Sequence, residues 1–215
     1  MRILLAAFLT ISSIAIAKAE NFTKLPAELD ENCRYGLAKL YDECADQRAI
    51  FDQALQNARR EGKTILVSYG AEWCIWCHVF DAYLSGTKTK FEYEFEDPDS
   101  PGDLYSATLY EREREDVSTL ASSLNDYVRE NFVLVHIEGQ YAPNGDAVLQ
   151  NTGAFEHYSG GIPFVFTVDH NGQFLQKINT SAIETRRDSF WDWYRGYKRV
   201  FLLEELRQAR RKSTE

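Results

Sequence analysis

One methionine occurs in the 215 residues, and it is Met1. The body of the chain therefore has no thioether to ligate a metal or a haem iron. Beyond residue 17 no segment is apolar enough to cross a bilayer, which takes about 20 such residues. Positive charge is also short: 24 Lys and Arg stand against 33 Asp and Glu, a net charge of −9, which argues against nucleic acid as a partner. There is no internal repeat, and there are no two ligand pairs at zinc spacing, so no metal is assigned. The remainder is 44% apolar and 13% aromatic, enough for the core of one domain with additions and too much for a disordered chain.

The long apolar run lies at the start. Arg2 supplies a short positive end, Ile3 to Ala17 is apolar, and Ala17-Lys18-Ala19 has small residues at the outer positions of a cleavage site. Residues 1–19 read as a secretory signal with cleavage after Ala19, so the expected location is periplasmic or secreted. Fifteen residues are few for a retained anchor. No cysteine follows the cleavage site to carry a lipid. Removing Arg2 and Lys18 leaves 22 basic against 33 acidic residues. In an oxidising compartment the four cysteines make two pairs, one structural and one reactive in the simplest reading.

The chain is organised around Ala71-Glu72-Trp73-Cys74-Ile75-Trp76-Cys77-His78. It follows the β-branched run Thr64 to Gly70 and leads into Val79 to Leu84, so the cysteines sit where a strand passes into a helix. Positions i and i+3 of a first helical turn share a face, which lets the sulfurs bridge. The free N–H groups and the dipole favour a thiolate on the first of them. Cys74 is the expected nucleophile and Cys77 the resolving cysteine.

Residues 20–45 form an N-terminal extension, expected to be helical, with Cys33 and Cys44. One unbroken helix would hold these two about 16 Å apart, so a bridge between them requires a bend, for which Gly36 is the natural place. A structural disulfide is the favoured reading, and a second exchanging pair is the other. Asp46 to Arg60 reads as an amphipathic helix with Ile50, Phe51, Ala54, Leu55 and Ala58 on one side, stopped by Gly62. Residues 85–116 have an acidic excess and no sustained period. They read as a surface insertion, a solvated loop or a docking lip, with Phe91, Tyr93, Phe95, Tyr105 and Tyr110 as its ordering residues. Val117 to Glu130 is helical in spacing, Phe132 to Ile137 reads as a buried strand, and a short helix is expected around Ala147 to Gln150. Phe164 to Val168 and Gln173 to Ile178 form a hairpin about Asp169 to Gly172. Ile183 to Arg211 reads as largely helical, with Phe190, Trp193, Tyr194, Tyr197, Val200, Phe201 and Leu203 on its packed face, and residues 206–215 as a charged tail. Trp191 and Trp193 are read as core or rim packing.

This order of elements, with Ile65-Leu66-Val67, Ala71-Glu72-Trp73-Cys74, Cys77 and Gly161-Ile162-Pro163, resembles the thioredoxin-like superfamily. The Trp-Cys-x-Trp-Cys-His form and Asn131-Phe132-Val133 resemble its exported thiol:disulfide interchange proteins. The resemblance covers about residues 46–84 and 117–205 within a domain set at 46–205. It implies an α/β fold with a central mixed β-sheet flanked by helices, an acidic insertion after the CxxC helix, and disulfide exchange on protein cysteines. It further implies Cys74 and Cys77 as the reacting pair, Trp73 flanking them, a cis Pro163 facing them, and Ile162 offering backbone to an extended substrate. No cofactor is implied, and the partners are protein thiols or disulfides and a redox partner protein. Two departures bear on proton transfer: thioredoxin has a buried aspartate where this chain has Ser68, and a lysine where it has Leu134. Ile75-Trp76 between the cysteines also differs, which leaves reductase, isomerase and oxidase directions open.

Two rival readings use the same residues. Cys74 to His78 satisfies the CxxCH haem pattern, with His136, His157 or His170 left as second ligand. A thioredoxin-fold binding or assembly module would carry the disulfide without using it. His78 is either a packed helix residue or a group that steadies a thiolate, and it is left out of the reacting pair. His136, in an apolar strand, is read as a satisfied core residue.

Overall fold

A computed structural model describes residues 22–34, 36, 38–87, 90–97, 100–110, 117–189 and 192–213. The expected signal, residues 1–19, and both Phe190 and Trp191 lie outside the described residues.

The chain enters through β1 (Lys24–Leu25), which is followed by turns up to Asp46; among its described residues the extension holds no helix, contrary to expectation. Its polar residues serve side-chain-to-backbone turns instead. Asp30 accepts from Asn32 N, and Asp42 accepts from Cys44 N and Ala45 N. Helix α1 (Gln47–Glu61) starts where Asp46 accepts from the Arg48 amide and ends at Gly62, whose φ of 67° lets its N–H reach Ala58 O. Then come β2 (Thr64–Gly70), α2 (Ile75–Leu84), β3 (Lys90–Asp97), β4 (Ser100–Tyr110), α3 (Val117–Asn131), β5 (Phe132–Glu138) and α4 (Gly145–Thr152). After a 3₁₀ turn (Ala154–His157) follow β6 (Phe164–Val168), β7 (Phe174–Lys177), α5 (Thr180–Ile183), β8 (Glu184–Ser189), β9 (Asp192–Tyr197) and α6 (Arg199–Lys212).

The central sheet has the order β1-β5-β2-β6-β7. Strand β2 runs parallel to β5, from Thr64 opposite Phe132 to Gly70 opposite Glu138, and antiparallel to β6. β1 pairs in parallel with β5, Lys24 opposite Leu134. Helices cover both faces, so β2 and β5 are buried throughout and read as continuous apolar runs. The two-residue alternation still sorts their side chains. Leu66 and Leu134 join Val79, Phe80, Leu124, Val128, Leu202 and Leu206 in one core, while Ile65, Val67, Val133 and Val135 join Ile50, Phe51, Ala54, Val148 and Leu149 in the other.

Two hairpins stand apart from this sheet, and both correct the expectations. The acidic insertion is no loop: β3 and β4 pair antiparallel from Lys90 opposite Tyr110, with an irregularity at Glu96/Asp97. The segment after Ile183 is not one long helix either, since β8 and β9 pair from Glu184 opposite Tyr197 to Ser189 opposite Asp192. Trp193 and Tyr197 lie four residues apart, a spacing that one face of a helix and one face of a strand both satisfy. Tyr197 sits under α2 among Trp76, Phe80 and Tyr83, with ring centroids 5.6–5.8 Å away. Only the last part of the expected helix forms, as α6. Its buried side is Leu202, Leu203, Leu206 and Ala209, whereas Val200 and Phe201 are exposed. The helix runs on through Arg210, which donates to Thr64 Oγ1 and Gly62 O, past the expected domain end at 205.

Candidate active site

Cys74 is the N-cap of α2. Its φ and ψ of −77° and 103° are extended, its carbonyl accepts from the Cys77 and His78 amides, and its Sγ accepts from Cys77 N at 3.3 Å. The sulfur thus lies at the free-amide end of a ten-residue helix, where a negative charge is stabilised. Cys74 and Cys77 are joined as a disulfide with a Cα separation of 5.3 Å. Both sulfur residues are buried, Cys77 completely.

Around them the rim is half-buried and apolar. Trp73, Trp76 and Ile162 pack against the two cysteines. The Trp73 indole donates to Gln140 Oε1 at 2.6 Å, which holds the ring beside Cys74. The Ile162–Pro163 peptide bond is cis, Pro163 is buried, and Gly160 and Gly161 before it are exposed. The structure therefore brings Cys74, Cys77, Trp73 and Ile162 to one place, with Pro163 next along the chain.

Cys33 and Cys44 lie elsewhere and are bonded to each other, with Cα atoms 5.7 Å apart. The bend between them uses Gly36 at φ 66° and also Arg34 at φ 49°. The loop so closed does more than hold the extension down, because it delivers Tyr41 to the sulfurs. Tyr41 is fully buried in contact with Cys74 and Cys77, and its hydroxyl is 3.0 Å from Ser68 Oγ. Burial pushes its phenol well above the usual range, with the Ser68 hydrogen bond opposing. Gly70 makes the contact possible. A Cβ there would stand 2.6 Å from Cys77 Sγ and 2.8 Å from Tyr41 Oη, so sulfur and hydroxyl share the space over its Cα.

Glu72 clasps the extension. Its buried carboxylate accepts from the backbone of Lys39, Leu40 and Tyr41 at 2.8–3.1 Å. His78 Nε2 donates to Glu72 O at 2.6 Å and lies 3.3 Å from its carboxylate. A haem held through both sulfurs, with His78 on the iron, would need two free sulfurs and a free imidazole. Here the sulfurs bond each other and the ring is turned to Glu72.

One turn beyond Cys77, the Asp81 carboxylate meets the Lys24 ammonium at 2.7 and 2.8 Å and stands 3.4 Å from His136 Nε2. His136 is not the satisfied core residue expected, since its Nε2 makes no hydrogen bond among the described residues. Its burial lowers the imidazole from 6.5 to about 4, although Asp81 pulls the other way. Ser68 and Leu134 thus leave no charge on the strands, but Lys24, opposite Leu134, brings its charge to Asp81 from the neighbouring strand. Sequence reasoning missed Tyr41, Glu72 and Asp81 as site residues. The available signals were an acid within the apolar run Val79 to Leu84, at i+4 from Cys77, and a glycine ending β2.

Sheet order, the CxxC pair at the start of α2, and Ile162-Pro163 leading into β6 define a thioredoxin-like fold. The Thioredox_DsbH family model, described as a protein of unknown function, DUF255, matches residues 28–86, the stretch from the extension through α2. Among solved structures the chain is similar to the disulphide isomerase from Xylella fastidiosa Temecula1, at 22% identity and a TM-score of 0.37, covering 64% of this chain and 76% of that one. No curated protein matches. Among the described residues no helix is long and apolar enough to cross a membrane.

Proposed function

We propose that this protein is an exported thiol:disulfide oxidoreductase that acts on protein cysteines through Cys74 and Cys77. The observation that carries the reading is the pair itself: two bonded sulfurs at the N-terminus of α2, one under a half-buried rim and the other sealed beneath it. Cys74 is the attacking sulfur, since the helix start favours its thiolate and it borders the rim of Trp73 and Ile162.

The exchange balances as follows. A substrate thiolate attacks Cys74 Sγ and breaks the Cys74–Cys77 bond. Cys77 leaves with the electron pair and takes up a proton. A second substrate thiolate then attacks the substrate sulfur of the mixed disulfide and expels Cys74. Two electrons pass to the protein and the substrate gains a disulfide; the reverse sequence reduces a substrate. The exposed Gly160-Gly161 and the backbone of Ile162 offer an edge along which an extended substrate segment can lie. Electrons come from, or go to, a redox partner protein, and cleavage after Ala19 delivers the chain to an oxidising compartment.

Cys74→Ser abolishes exchange with a disulfide-bonded or reduced protein substrate, and Cys77→Ser accumulates mixed disulfides visible on a non-reducing gel. Exchange that persists in Cys74→Ser sinks the reading and leaves a binding module. N-terminal sequencing of the exported protein, expected to begin at Glu20, tests the export. The in vivo ratio of dithiol to disulfide at this pair decides the direction.

A further inference from the structure

Four cysteines form two bonds, and the one exposed cysteine is not in the reacting pair. Cys74, Cys77 and Cys33 are 4%, 0% and 5% exposed, whereas Cys44 is open to solvent. Exchange begins when a thiolate reaches one sulfur of a bond, so an outside thiol meets Cys33–Cys44 at Cys44, and exposed bonds are the labile ones. Little else orders the segment that this bond closes. From Pro26 to Asp46 the described residues form neither helix nor strand. Asp42 accepts from the amides of Asp30, Cys44 and Ala45 at 2.8–3.1 Å, and Glu72 from those of Lys39, Leu40 and Tyr41. A cavity of about 630 Å³ is lined by Pro26, Glu28, Glu31 and Lys39 of the extension and by His136 of β5, so the segment has room to move beside the sheet. Tyr41, three residues before Cys44, is what this thin segment delivers. It is fully buried against Cys74 and Cys77, and its hydroxyl shares the space over Gly70 with Cys77 Sγ. A local opening of the extension therefore uncovers Cys77 while the sheet and α2 stay folded.

We propose that Cys33–Cys44 is a second redox site, opened at Cys44 by dithiols, and that its opening releases Tyr41 and exposes Cys77 to thiols. Its effect on activity rests on the reading of Cys74 and Cys77 as an exchanging pair. A dithiol thiolate attacks Cys44 Sγ and breaks the bond, and Cys33 leaves with the electron pair and takes up a proton. The second thiolate of the same dithiol then attacks its own first sulfur and expels Cys44, which is protonated in turn. Two electrons pass to the protein, and the dithiol departs as a disulfide. With Cys33–Cys44 closed, Tyr41 leaves Cys74 as the sulfur that a substrate meets at the rim of Trp73 and Ile162. With it open, a substrate thiol also reaches Cys77, where the mixed disulfide lies away from that rim and exchange slows. An oxidising pool thus keeps the protein active and a reducing pool silences it.

The test reads two quantities on the full chain. The first is access to Cys77. In a Cys74→Ser background Cys77 is the free thiol, and adding Cys33→Ala and Cys44→Ala leaves it as the sole cysteine. Its alkylation by a small maleimide is expected to be about tenfold faster without the Cys33–Cys44 bond, since loop closure no longer holds Tyr41 in place. If that variant loses its near-ultraviolet circular dichroism, the Cys74→Ser chain serves by itself: Cys77 alkylation is compared before and after a brief dithiothreitol treatment, with the modified sites read by mass spectrometry. The second quantity is the reducibility of the bond. In the parent chain, graded dithiothreitol is expected to free Cys33 and Cys44 at concentrations no higher than those that reduce Cys74 and Cys77. Equal Cys77 alkylation with the bond closed and absent overturns the release of Tyr41. A Cys33–Cys44 bond still intact where Cys74–Cys77 is fully reduced overturns the second redox site. A parent chain that exchanges no disulfide with protein substrates defeats the proposed function instead, and the alkylation rates then still report whether Cys33–Cys44 guards Cys77.

Discussion

The two cysteines of the pair, three residues apart, inhabit opposite surroundings. Cys74 meets a half-buried rim of Trp73, Trp76 and Ile162, with apolar surface left for a second chain. Cys77 meets Tyr41 and, one turn on, the ion pair of Asp81 and Lys24, sealed by a disulfide-tied extension. The first setting suits recognition, because apolar contacts and open backbone accept many sequences. The second suits tuning of a sulfur, because charge in a low-dielectric site acts strongly over a few ångströms. The lesson is that a CxxC pair is asymmetric by construction: the helix start sets the first sulfur, and whatever packs behind the helix sets the second.

Breaking the extension should harm the second setting most. Opening the Cys33–Cys44 bond with a double Ala substitution removes a link of sequence separation 11 and should cost about 3 kcal/mol in denaturant unfolding. It should also slow exchange, although neither residue touches the reacting sulfurs, because Tyr41 loses its tether. Full activity in that variant would make the extension mere cladding.

Titration of His136 comes next. Its folded pKa of about 4 lies below the ordinary 6.5, so the unfolded chain binds more protons between these values. Stability from this group is complete above pH 6.5 and is lost as pH falls toward 4, by up to about 3 kcal/mol. In His136→Asn the slope of unfolding free energy against pH should flatten in that window; an undiminished slope would assign it to other groups.

Gly70→Ala should cost about 2 kcal/mol, since the added carbon meets Cys77 Sγ and the Tyr41 ring and hydroxyl. Thermal unfolding checks this, and near-neutral behaviour would show the packing over Gly70 to be loose.

The rim should answer differently. Ile162→Ala should change stability by about 1 kcal/mol or less, because the side chain is only partly buried, yet slow exchange with a protein substrate more than exchange with a small dithiol. Equal slowing of both would erase the contrast between the two settings.

Much of this was legible from residues alone, and the reasons differ by element. Helix α1 announced itself through Asp46, a clean apolar stripe and Gly62, all local signals. Strands β2, β5 and β6 were readable as β-branched runs because both their faces are covered. In the insertion the strand period is present, since Phe91, Tyr93 and Phe95 alternate with Glu92, Glu94 and Glu96, and only the acidic excess points to a solvated loop. Residues 184–197 are ambiguous for a different reason: Trp193 and Tyr197, four apart, fit a helical and a strand period at once, and pairing across the hairpin settles the choice.

By itself the sequence determined that two cysteines stand at i and i+3 of a helix start, that this helix follows a buried strand, and that Ile162-Pro163 introduces another. These are matters of spacing and local propensity, and they are enough for the chemistry of the sulfurs. Tertiary structure alone decided what surrounds Cys77. Tyr41, Lys24, Asp81 and His136 are drawn from four segments between residues 24 and 136 and converge through strand pairing and a disulfide loop. No pattern of spacing along the chain encodes that convergence, because contacts between distant segments are fixed by which faces pack, and it is those contacts that set the surroundings of Cys77.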